Sequence, residues 1–196
     1  MAEPTIEHSS IQDRDLLLRL SLYFDSFDQR IRQGQGWFIF NAEGGRGRRI
    51  STFIERRIHE HEPEIHSFVI HWRDFALSAY VNEVGIPQLE PEAAGPATSA
   101  RLIKEVAFAR QVTSDVWDRC SNAEVLMLVG LKPEYQHEVT FLDRAIDERY
   151  RQRLATILVT PETPSDLEAD LATLDPTQTY WDRLFTRMYE TSLVAL

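Results

Sequence analysis

WFIFNAEGGRGRRISTFIERR, Trp37 to Arg57, carries three signals in a row. The apolar run Trp37-Phe38-Ile39-Phe40 predicts a short buried strand. Gly44, Gly45 and Gly47 predict a turn, because glycine reaches unusual backbone angles at little cost. Ile50, Phe53, Ile54 and Ile58 then repeat at helical spacing. Strand, glycine turn and helix form the opening unit of a parallel α/β sheet, and folds of that class place ligands at such turns.

The rest of the chain extends that pattern in both directions. Upstream, Leu17, Leu20, Phe24, Phe27 and Ile31 predict one amphipathic helix over 13–32. Downstream, Ile65 to Trp72 predicts a second strand, followed by a helix to about Glu83 that Gly85 closes. Pro87, Pro91, Gly95 and Pro96 mark residues 86–99 as a flexible loop. A helix over about 99–120 follows, its stripe made by Leu102, Ile103, Val106, Ala109, Val112 and Val116. Glu124 to Leu131 reads as a central strand, buried on both faces. Val139, Leu142, Ile146 and Tyr150 align on the next helix. Leu154 to Thr160 reads as the fourth strand. Ser165 with Glu168 predicts a capping box, and Asp175-Pro176 predicts the start of a last helix with Trp181, Leu184, Phe185, Met188 and Tyr189 on its apolar side. Alternation of this kind predicts a single α/β domain over 1–196. Its architecture is three-layer αβα, with a mainly parallel four-stranded sheet and helices on both faces.

Charge and cysteine usage narrow the function classes. The net charge is −10, which argues against a surface that coats DNA or membrane. Within it, residues 46–57 hold five arginines and one glutamate. The single cysteine, Cys120, rules out an internal disulfide framework and suits a reducing cytoplasm. No segment approaches the roughly 20 apolar residues of a membrane helix, and the first ten residues lack the basic and apolar regions of a secretory signal.

Chemistry-bearing motifs are weak. The turn lacks both the Gly-x4-Gly-Lys spacing of a phosphate loop and the Gly-x-Gly-x-x-Gly of a dinucleotide site, so no cofactor is expected. His59, His61, His66 and His71 do not fall at metal-ligand spacing. Glu43, Asp74, Glu134 and Glu162 each follow a predicted strand and would share one sheet edge, where a divalent-metal nuclease or phosphatase keeps its acids. No paired Asp-x-Asp stands at a strand end, so catalytic and metal residues are not assigned. The five arginines read either as solvated residues around a tight turn or as a docking surface for an anionic partner; basic residues in a first helical turn oppose the helix dipole, which keeps Arg46, Arg48, Arg49, Arg56 and Arg57 as candidate partner-binding residues. Tyr180, Trp181 and Tyr189 are the second candidate partner-binding group, since such residues are enriched at interfaces.

The order of elements also resembles the BrxB proteins of bacterial BREX phage-exclusion systems. The resemblance runs through GWFIFNAE (36–43), FVIHWRDFALSAYVNEVG (68–85), EVLMLVGLKPEYQHEVTFLDRAI (124–146), RLATILVTPETP (153–164) and YWDRLFTRMY (180–189). It implies a non-enzymatic cytoplasmic adaptor in antiviral defence, working beside a PglZ-type phosphatase-like protein. Any association with DNA would then be indirect, through the complex. Two other readings stand beside it: a metal-dependent hydrolase using the strand-end acids, and a nucleic-acid-binding accessory protein using the arginines.

Overall fold

A computed structural model describes residues 11–84, 96–175, 177 and 179–196. The elements run α1 (Ile11–Asp25), α2 (Phe27–Arg32), β1 (Gly36–Ile39), α3 (Gly44–His59), β2 (Ser67–His71) and α4 (Trp72–Ala79). A π-helical turn, Tyr80–Val84, extends α4. Then come α5 (Pro96–Asn122), β3 (Val125–Val129), α6 (Gln136–Gln152), β4 (Ala155–Val159), α7 (Pro164–Leu174), α8 (Thr179–Thr191) and β5 (Ser192–Ala195).

The strands form one sheet in the order β2-β3-β4-β1-β5, every pair parallel. Parallel neighbours need crossovers, and crossovers are right-handed. The chain moves one way along the sheet from β1 to β2 and the other way in every later step. The connection after β1 must therefore lie on the opposite face from the later ones. Accordingly α1, α2 and α3 cover one face, where Ile50, Ile54 and Ile58 pack with Trp37, Ile39, Met127 and Ile157. The later helices cover the other, where Phe75, Phe141, Leu167 and Met188 pack with Phe38, Phe40, Leu126 and Leu128. Successive strand residues thus feed opposite cores, which is why β1 and β3 read as unbroken apolar runs and β4 is apolar but for Thr156. Each such side chain contributes about 1.5–3 kcal/mol through burial.

The parallel α/β sheet with helices on both faces is as the sequence predicts, with two differences. A fifth strand is present. Ser192–Ala195 follows α8 without a loop and pairs in register with Gly36–Ile39. A four-residue run after an amphipathic helix carries no periodicity of its own, so it reads as the tail of that helix. The predicted first helix is two, because the Ser26 hydroxyl turns back on the carbonyls of Leu22 and Tyr23 and disturbs the ladder. The predicted closure at Gly85 and most of the 86–99 loop lie outside the described residues; α5 already begins at Pro96.

Helix caps also differ from expectation. Thr163, not Ser165, caps α7: its hydroxyl accepts the Asp166 amide at 3.1 Å, with Pro164 at the first helical position. Asp175 ends α7 and accepts the amides of Thr177 and Tyr180 at 3.1 and 3.0 Å, so it serves the start of α8 from a distance. Gly36 admits no side chain, since a Cβ there would lie 1.8 Å from the Thr156 carbonyl of β4.

Candidate partner-binding site

In open α/β sheets the ligand crevice opens beyond the carboxyl ends of the two strands whose outgoing connections diverge. Here those strands are β1 and β4. Their outgoing segments are tied to each other. The amides of Asn41 and Ala42 donate to the carbonyls of Glu162 and Thr160 at 3.0 and 2.9 Å. Asn41 adopts φ 56° to make that turn. The amides of Arg46 and Gly47 close back on the Glu43 carbonyl. Four backbone amides of this segment, those of Asn41, Ala42, Arg46 and Gly47, are thus used within the chain.

Arg46 completes the closure. Its Nη1 donates to the carbonyls of Phe40 at 3.1 Å and Asn41 at 2.6 Å. Its Nε donates to Asp13 at 2.8 Å. Its Nη2 is buried and makes no hydrogen bond. Asp13, buried near the start of α1, also accepts from Arg49 at 2.8 Å. Burial alone would raise the Asp13 carboxyl, yet the bonds from Arg49 and Arg46 carry it below the ordinary carboxylate range. The glycine turn is therefore compact: a Cβ on Gly47 would lie 2.2 Å from the Ala42 carbonyl.

The five arginines of α3 do not form one free patch. Arg46 is mostly covered and Arg49 half-exposed, both held by Asp13. Arg56 pairs with Glu60 at 2.7 Å, and Arg57 lies over Phe24 and within 3.4 Å of Asp25. Arg48 is exposed and makes no ion pair among the described residues. What α3 offers to a partner is a narrow ridge of Arg48, Arg49 and Arg56, already partly neutralised.

The aromatic group on α8 is graded in exposure. Trp181 is only 8% exposed and belongs to the core. Tyr180 is half-buried and lies under Arg183. Tyr189 is 69% exposed. Phe185, on the predicted apolar side of this helix, links them. Its ring is 5.2 Å from that of Trp181 and stacks with that of Tyr189 at 5.9 Å. The spacing of four from 181 to 185 to 189 was the available signal for such a ladder.

The strand-end acids lie along the carboxyl edge without converging. Glu162 is held by Lys132 at 2.7 Å. Glu43 is the exposed N-cap of α3, and Asp74 is exposed in the first turn of α4. Glu134 borders an open cleft of ≈ 510 Å³ at the ends of β2 and β3, with Arg73, Lys132 and Glu138. The Glu138 carboxylate is engaged there by the amides of Glu134 and Tyr135. Among the described residues, no three of His, Cys, Asp or Glu are grouped to hold a metal ion. His61 meets Asp28 at 2.9 Å, while His59, His66 and His71 are exposed. No described helix is long and apolar enough to cross a membrane.

The fold is similar to that of two solved structures. The solved DnaC helicase loader superimposes with a TM-score of 0.62 at 16% identity, over 95% of this chain and 90% of that one. A proposed primosome component from Streptococcus pyogenes serotype M3 gives 0.51 at 14% identity, over 89% and 77%. No protein-family model matches the chain, and no curated protein does. At such identities the likeness extends to the arrangement of helices and strands and stops there.

Two groups of interacting residues carry no motif. Asp13, the acid that holds Arg46 and Arg49, lies 33 and 36 positions before them. Tyr150, aligned with the apolar stripe of α6, is instead partly exposed. It donates to the Glu190 carboxylate at 2.6 Å and so extends the α8 surface onto α6.

Proposed function

We propose that this chain is a non-enzymatic adaptor or scaffold of a bacterial phage-defence assembly of the BREX type, binding a larger partner such as a PglZ-type phosphatase-like protein. The observation that carries the reading is the β1–β4 crevice. The position where this fold would hold a ligand is bridged by backbone bonds and filled by the chain's own Arg46. With that position used structurally, two surface features are suited to protein contacts, an arginine ridge and a stacked aromatic pair. The descriptions of the two structural neighbours, a helicase loader and a proposed primosome component, are of parts that act with larger machines, which supports the same kind of role. A buried, unpaired Cys120 agrees with the cytoplasmic setting this reading expects.

The test is affinity purification from a host expressing the complete defence operon. The expected result is recovery of a large operon partner with the tagged chain, and no hydrolytic turnover by the chain alone. Recovery of the chain by itself from such cells would overturn the proposal. A second reading rests on the fold shared with the helicase loader over nearly the whole of both chains: an accessory that acts on a helicase. Capture of a replicative helicase in place of a defence partner would favour it.

A further inference from the structure

The segment from Pro161 to Leu196 contains seven carboxylates and two arginines, half of the chain's net charge in less than a fifth of its length. Both arginines are committed. Arg183 forms a two-bond pair with Asp143, and Arg187 bridges Asp143 and Asp147 of α6. The outward side of α8 is left with Asp182, Phe185, Tyr189 and Glu190, all exposed. Asp182 stands one turn before Phe185, and Glu190 adjoins Tyr189. The phenol of Tyr150, on α6, donates to the Glu190 carboxylate at 2.6 Å and fixes its position. A stacked pair of rings, on a helix whose exposed charges are the carboxylates Asp182 and Glu190 and whose two arginines are committed, is a surface of defined chemistry.

Ring faces are electronegative and attract guanidinium and ammonium groups. Carboxylates on the same helix take the hydrogen bonds such groups donate, most effectively from arginine. The same surface repels phosphate. We propose that this face of α8 docks a basic, arginine- or lysine-rich segment of a partner protein, with cationic side chains lying over Phe185 and Tyr189 and bonding to Asp182 and Glu190. The proposal rests on the adaptor reading and adds the chemistry of the partner. It also separates the two surfaces: the arginine ridge of α3 lies on the other face of the sheet and would need a partner of opposite charge.

The probe is a fluorescein-labelled octa-arginine peptide, titrated against the full chain at physiological salt and followed by anisotropy and by amide chemical shifts. Shifts should concentrate on α8 and around Tyr150. Tyr189→Ala should weaken binding about tenfold or more, as hot-spot aromatics do, and Tyr189→Phe should retain most of it. Asp182→Asn or Glu190→Gln should each cost about two- to fivefold, the range for exposed ion pairs. Glu62→Gln, which removes the same charge elsewhere, should change nothing. Equal weakening by Glu62→Gln, or shifts spread over every acidic surface, would overturn the proposal. So would concentration-dependent self-association lost in both Arg48→Glu and Tyr189→Ala, because the occupant would then be a second copy. Purification from the defence operon separates this idea from its parent. Partner retained by Phe185→Ala/Tyr189→Ala rejects the α8 surface and keeps the adaptor role. Partner absent even with the unaltered chain rejects the adaptor role.

Discussion

Arg149 is fully buried on α6 and has no carboxylate partner. Its guanidinium donates instead to Cys120 O and Ala123 O at 2.8 Å each, to Ala155 O at 2.5 Å and to Thr156 Oγ1 at 2.9 Å. Two of these acceptors close the carboxyl end of α5, where carbonyls lack helical partners. The other two belong to the start of β4. Burial pushes Arg149 down to about 10, so it is still a cation at neutral pH. Arg149→Met keeps the aliphatic stem and removes the charge. Four bonds to a charged donor, about 1.5–3 kcal/mol each, are then lost. Against this stands the relief of no longer burying an ion, several kcal/mol. The acceptors left behind are dry, so the balance should fall near the roughly 3–5 kcal/mol seen when one partner of a buried charged network is removed. In a chain of this length that lowers Tm by on the order of 10 °C. Arg149→Lys should fall between, because a single ammonium cannot copy the planar fork. Urea and thermal unfolding measure both. If Arg149→Met unfolds within about 1 kcal/mol of the unaltered chain, desolvation cancels the bonds and the structural role assigned to this residue is wrong.

Asp13→Asn should cost about 2 kcal/mol at neutral pH, since two arginines lose a charged acceptor. The folded carboxyl sits below its ordinary value of 3.8, so its contribution is complete above that pH and lost as pH falls through the folded value. Acid unfolding of the variant should accordingly show a shallower pH dependence than the parent in that window, and identical curves would refute the pair. Gly47→Ala should destabilise much more than Gly44→Ala. The first forces a Cβ onto the Ala42 carbonyl, whereas the second meets open space and bears only the left-handed backbone penalty of about 1–2 kcal/mol. Comparable melting temperatures would show that the turn is looser than its geometry. Millimolar ATP with magnesium should leave Tm unchanged, because a ligand that binds only the native state must raise it. A concentration-dependent rise would reopen the β1–β4 crevice as a site.

The parts of this protein legible in sequence are those where one residue's environment follows from its immediate neighbours. Phe38 beside Ile39, and Met127 beside Leu128, report burial on both faces of a sheet, so the central strands and the α/β class follow from local pattern. Glycines 44, 45 and 47 likewise mark the turn after β1. The absence of phosphate-loop spacing is also local, and it sets aside a standard nucleotide loop. What needed tertiary structure depends on residues brought together over long sequence distances. Five clustered arginines look like a free basic patch until Asp13, Asp25 and Glu60 are seen against four of them. Tyr180, Trp181 and Tyr189 look equivalent until helix rotation sends Trp181 into the core and Tyr189 into solvent. β5 exists because the open edge of β1 accepts it, a property of the partner strand rather than of Ser192–Ala195. Arg149 is one arginine among many in the sequence. Only folding carries acceptors from positions 120, 123, 155 and 156 to a single guanidinium, because hydrogen bonds depend on distance in space and not along the chain.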